Sequence, residues 1–142
     1  MPAQAFEVTF NGYWREAKMS GLPAQSGVFC VYVCNFNPAD KAVILLRLLY
    51  IGETGNANLT IVQNPLWPGW KAALGNPRQQ LCFSFAPVES RYRGQVAAAL
   101  IHAHQPPLND DFKTNFPFEP TAVSVSGRVD LLKARITASA AE

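Results

Sequence analysis

The sequence predicts an α+β domain, and three observations carry that prediction. Residues 27–34 and 42–51 are two apolar runs of strand length, rich in β-branched and aromatic side chains and separated by a short loop. Residues 81–86 are a third such run, closed by Pro87. Residues 90–104 are a helix, because Ala97, Ala98, Ala99 and Leu100 are strong helix formers and Pro106-Pro107 stops them.

The chain of 142 residues is 49% hydrophobic, enough for one real core, so residues 1–142 read as a single domain. That apolar content excludes disorder of the charge-rich kind. No apolar run approaches the roughly 20 residues needed to span a bilayer, so no membrane partner is expected. The opening Met1-Pro2-Ala3-Gln4 lacks a basic region followed by an apolar one, so no signal peptide is expected. Cys30, Cys34 and Cys82 sit inside apolar runs without a spaced framework; they read as reduced, buried thiols in a cytoplasmic setting. Net charge is only +2, so a nucleic-acid role needs a local basic patch.

In chain order, residues 6–10 alternate apolar and polar and predict a short half-buried strand. Asn11-Gly12 signals a turn, and residues 13–19 a helical turn or two. Residues 27–34 are apolar on both faces, the pattern of a central strand covered on each side. Asn37-Pro38-Ala39-Asp40 is the connecting loop. Residues 57–63 predict a short helix, weakened by Thr60, Ile61 and Val62. Residues 64–70 read as irregular, with Trp67 and Trp70 lidding the core, and residues 71–74 as helical. In the 90–104 helix Ser90 is the expected N-cap, and Val96, Leu100 and Ala103 form the apolar stripe. Residues 121–125 alternate as a fourth or edge strand, Ser126-Gly127 is a turn, residues 129–136 form a terminal helix or strand, and the last six residues fray.

Two short blocks mark the hairpin. Gly27-Val28-Phe29 opens its first strand and Tyr50-Ile51-Gly52 closes its second. A third block, residues 100–109, ends the helix with a Pro-x-x-Asn turn at Pro106-Pro107-Leu108-Asn109. In this order and spacing the blocks resemble the GIY-YIG nuclease superfamily, over a core of roughly residues 27–109. Phe116-Pro117-Phe118 and Ser126-Gly127 resemble a bacterial subgroup of it. The resemblance implies a small central antiparallel sheet flanked by helices, with extra N- and C-terminal elements. It also implies a phosphodiesterase site. There a helix carboxylate holds a divalent metal, tyrosines of the two hairpin blocks act on the attacking water, and an arginine stabilises the phosphate.

Mapped onto this chain, the family's first tyrosine position is Phe29, its arginine position is Thr60, and its metal-binding glutamate position is Ala97. Only Tyr50 keeps the family's residue. Tyr32 does not replace Phe29, because three residues along a strand it faces the other way. Gln95 does not replace Ala97, because two residues turn about 200° around a helix. The expectation is a nuclease-fold protein that lacks cleavage activity and serves as a nucleic-acid- or protein-binding module. No cofactor is then expected. The rival expectation is a metal-dependent DNA endonuclease with a shifted or deliberately mutated site, which would need Mg²⁺. Arg91, Arg93 and Lys113 are the expected phosphate-binding patch on DNA or RNA. His102 and His104, two apart on a helix, do not share a face and do not read as a metal pair.

Overall fold

The computed structural model describes residues 3–140. Its strands are β1 (Gln4–Arg15), β2 (Gly27–Asn37), β3 (Ala42–Thr54), β4 (Gln79–Pro87), β5 (Thr121–Gly127) and β6 (Arg135–Ala138). Its α-helices are α1 (Ala57–Thr60), α2 (Trp67–Ala72) and α3 (Ser90–His104), and a 3₁₀ helix covers Glu16–Gly21. The architecture is mixed α and β, as the residue pattern predicts. One sheet holds all six strands in the order β3-β2-β4-β1-β5-β6.

The expected antiparallel sheet is present as β3-β2-β4-β1, and the C-terminal strands β5 and β6 extend it to six. Neighbouring strands are antiparallel except β1 and β5, which run parallel from Gln4↔Thr121 to Phe10↔Gly127. β5 is therefore an interior strand and not an edge; β6 and β3 are the edges. Alternation reports which face of a strand is covered and is silent about which edges are paired.

β2 lies between β3 and β4 and is buried from Gly27 through Cys34. Val28, Cys30, Tyr32 and Cys34 enter the core under α3. Phe29, Val31 and Val33 enter a second core on the other face, with Trp70, Leu81, Phe83 and Phe85. Phe29 and Tyr32 thus lie on opposite faces, as strand geometry requires. The three cysteines are buried free thiols. No helix is long and apolar enough to cross a membrane.

Local departures have local causes. The Asn11-Gly12 signal marks a transfer and not a turn: residues 4–10 pair with β5, residues 11–15 pair with β4, and the register shifts between Gly12 and Trp14. Such a shift redirects a strand without reversing it. Residues 13–15 are consequently strand, and helical structure starts only at Glu16. α1 is shorter than expected, ending before β-branched Ile61-Val62. α2 begins inside the segment read as irregular and ends at Ala72, within the stretch 71–74 expected to be helical; its Pro68 occupies the first turn, where a missing N–H costs nothing. The cap of α3 is Glu89, with Ser90 already helical and no side-chain cap bond. The expected stripe on α3 widens to a block buried from Val96 to Ile101. At the C-terminal end, Ala138 is buried in β6, within the stretch expected to fray; Ala141 and Glu142 lie outside the described residues.

Candidate functional site

The two hairpin blocks meet across one register. Phe29 of β2 sits opposite Gly52 of β3, and Gly27 opposite Thr54. A Cβ on Gly52 would lie 2.6 Å from Phe29 Cζ and 2.8 Å from Tyr50 Cε2, so the two rings require glycine there. The Pro-x-x-Asn turn closes on the same place. The buried Asn109 side chain accepts the Ile51 N–H at 2.9 Å and donates to the Ile51 carbonyl at 2.8 Å. Leu108 N–H donates to the Leu49 carbonyl at 3.0 Å. One amide side chain thus stands in for the missing strand neighbour on the outer edge of β3.

Two cavities adjoin at this end of the hairpin. One, of ≈ 310 Å³, is lined by Tyr50, Glu53, Ala97, Ile101, Asp110 and Asp111 among others. The other, of ≈ 410 Å³, is lined by Phe29, Thr54, Thr60, Asn64 and Arg93. Glu53 lines both. The fold therefore gathers all four mapped positions, Tyr50 with Ala97 and Phe29 with Thr60, around one carboxylate.

Their chemistry is largely apolar or already committed. Phe29 joins an aromatic cluster, with Tyr50 and Trp70 each 6.1 Å away between ring centroids. Trp70 is fully buried and Trp67 stacks on Phe83 at 5.8 Å, so the two tryptophans are core and lid, as expected. Thr60 Oγ1 donates to the Asn56 carbonyl at 2.9 Å and also contacts Thr54 Oγ1. Burial, followed by the charges of Asp111, Asp110 and Glu53, raises the Tyr50 pKa above its ordinary value. The hydroxyl stays protonated near neutral pH and is a hydrogen-bond donor, not a base. Burial likewise pushes the Cys30 thiol up to about 12, leaving no thiolate nucleophile there.

The residues at the mapped metal position do not fit a divalent ion. Ala97 offers a methyl group that is only 3% exposed. Gln95 points elsewhere, its Nε2 donating to Gln4 Oε1 at 3.1 Å and Thr121 Oγ1 at 2.8 Å. Glu53 Oε1 is held by Arg93 Nε at 3.0 Å. Among the described residues no three His, Cys, Asp or Glu side chains converge.

The three expected phosphate-binding cations are not brought together in either cavity. Arg93 alone lines one, half-buried, tied to Glu53 and donating to Ser26 Oγ at 3.2 Å. Arg91 is exposed, paired with Glu89 at 3.1 Å and stacked over Tyr92. Lys113 is half-buried, and its carbonyl accepts from Gln105 Nε2 at 2.6 Å. His102 Nδ1 is bonded to the Phe112 carbonyl and His104 Nδ1 to the Leu100 carbonyl, both structural uses.

Compared with protein-family models, curated proteins and solved structures, the chain matches none. Sequence reasoning singled out Tyr50 and Ala97 but did not place with them Asp110 and Asp111, which line their cavity directly after Asn109. Their position behind the Pro-x-x-Asn turn was the available signal. Arg93 was singled out for a phosphate patch, and the structure pairs it with Glu53.

Proposed function

We propose that this chain is a degenerate GIY-YIG-type protein that binds nucleic acid and does not cleave it by that family's mechanism. One observation carries the reading. The four positions mapped from the hairpin and helix blocks line two adjoining cavities, yet three of them, Phe29, Thr60 and Ala97, supply neither hydroxyl nucleophile activation, cation nor metal ligand. Tyr50, held protonated, does not restore a base. Losing a metal carboxylate and a phosphate cation together removes several kcal/mol of transition-state stabilisation, on the order of a thousandfold or more in rate. Arg91 and Arg93, in the first turn of α3, are the proposed phosphate contacts beside these cavities, and Lys113 is a further one beyond the C-terminal end of that helix.

A second reading has its own support. Glu53, Asp110 and Asp111 share a cavity with Tyr50, and Arg93 lines the next one. A relocated endonuclease centre would use those groups in place of positions 97 and 60. One assay separates the two. Plasmid and single-stranded DNA are incubated with Mg²⁺ or Mn²⁺ and the protein. The binding reading expects no cutting, and Tyr50→Phe leaves that unchanged. Robust cutting abolished by Tyr50→Phe or by Asp110→Asn/Asp111→Asn overturns it in favour of the relocated centre.

A further inference from the structure

We propose that the cleft at the tip of the β2–β3 hairpin is a second nucleic-acid site, built to hold a single strand by its phosphates and a base. The choice of polymer rests on the nucleic-acid reading above; the cleft itself is carried by separate observations. Its volume is ≈ 490 Å³, and its lining includes Tyr13, Arg15, Lys18, Phe36 and Lys41. Three cations therefore face it, and no carboxylate lines it. The cavity around Tyr50 has the opposite make-up, with three carboxylates and no cation. In a chain of net charge +2, this is a local concentration of positive charge that the total conceals.

None of the three cations is in an ion pair among the described residues. Among the described residues the ion pairs are Lys71 with Glu16, Arg91 with Glu89 and Arg93 with Glu53. Arg15, Lys18 and Lys41 are in none of them. The two carboxylates nearest in sequence are engaged elsewhere. Asp40 Oδ2 accepts from Asn37 Nδ2 at 2.9 Å, and Glu16 is held by Lys71 and by the Leu81 N–H.

The aromatic component is preorganised. The Arg15 guanidinium lies 3.6 Å from the Phe36 ring centroid, a stacked pair whose outer face can take a base. Tyr13 is fixed edge-on against Tyr32 at 5.7 Å, and its hydroxyl accepts the Asp130 N–H at 3.2 Å. Stacked planes beside exposed lysines are the combination that single-stranded binders use: rings and guanidinium planes for bases, ammonium groups for phosphates. The cleft's far wall at Phe36 lies on the order of 30 Å along β2 from Gly27, and its near wall at Arg15, level with Tyr32 through Cys82, on the order of 16 Å, and it shares no lining residue with the two cavities at the Gly27 end. It is a separate contact and not a wall of the candidate site.

The test measures anisotropy of a fluorescein-labelled short oligothymidylate over a salt series. Lys18→Ala/Lys41→Ala removes two exposed groups that make no ion pair among the described residues, so folding is preserved; Arg15→Gln removes the stacked cation. The double variant is expected to weaken binding roughly tenfold at low salt, and adding Arg15→Gln to lower the salt slope by about two in all. An abasic strand of the same length is expected to bind the wild type less tightly. Unchanged binding by the double variant and by Arg15→Gln overturns the proposal, as does equal affinity for the abasic strand. Loss on Arg91→Ala/Arg93→Ala with none on Lys18→Ala/Lys41→Ala sinks this cleft and leaves the earlier reading standing. The converse pattern sinks the earlier patch and leaves the cleft.

Discussion

At the scale of single residues, Asn109 decides more than any of the mapped positions. Its side chain satisfies both backbone groups of Ile51, and it is buried while doing so. Truncation strands a buried N–H and a buried carbonyl together. Asn109→Ala is therefore expected to cost about 2–3 kcal/mol. The check is a urea melt, read as a lower midpoint at unchanged slope. Asn109→Asp puts a carboxylate oxygen against the Ile51 carbonyl in a buried site, so at neutral pH it should cost at least as much as Asn109→Ala. A melt of Asn109→Ala indistinguishable from wild type would show that the turn and not the amide secures β3. The sequence marks Asn109 as the end of a block, but its partner is 58 residues away in the chain. A contact of that separation has no local signal, and the same holds for the pairing of Glu53 with Arg93.

At the scale of elements, what was legible followed from local pattern. The hairpin, the third strand and α3 declare themselves through apolar runs and proline stops, and all are present. What failed depended on neighbours. Gly12 reads as a turn because glycine marks turns and bulges alike, and only the competing partners β4 and β5 tell them apart. α2 was hidden because tryptophan, proline and glycine are poor helix signals, yet Trp70 buried against Phe29 and Phe83 holds the turn in place. The hairpin blocks themselves acquire a packing reason. Gly52 gives room to the rings of Phe29 and Tyr50. Gly52→Ala should destabilise by about 1–3 kcal/mol through overpacking. Phe29→Leu shortens the ring that the new methyl meets, so Gly52→Ala/Phe29→Leu should be more stable than the sum of the single losses. Strict additivity in a double-mutant cycle would mean that the glycine answers to backbone demands alone.

At the scale of the whole molecule, the C-terminal segment is fastened to α3 through an imidazole. His104 Nδ1 donates to the Leu100 carbonyl at 2.8 Å, and Nε2 accepts the Lys133 N–H at 2.8 Å. Only the neutral ring with its proton on Nδ1 makes both bonds; a second proton on Nε2 would face an N–H. Burial lowers the His104 pKa below its ordinary 6.5; the bond to the Leu100 carbonyl opposes this in part, and the Lys133 charge adds a smaller push downward. The sign follows from linkage. The unfolded chain binds this proton more readily than the folded one, so the contribution is complete above the unfolded value of 6.5. It is lost as pH falls from there through the folded pKa. Because β6 pairs with β5, and β5 with β1, loosening this fastening reaches the far edge of the sheet and not only the tail. Urea midpoints should hold steady from pH 8 to 7 and decline below 6.5 (a window the carboxylates enter only at lower pH). His104→Gln retains a neutral side chain, should be less stable at pH 7.5, and should flatten the decline between pH 6.5 and 5.5. If the variant shows the same slope as wild type in that interval, the proton responsible belongs to another group.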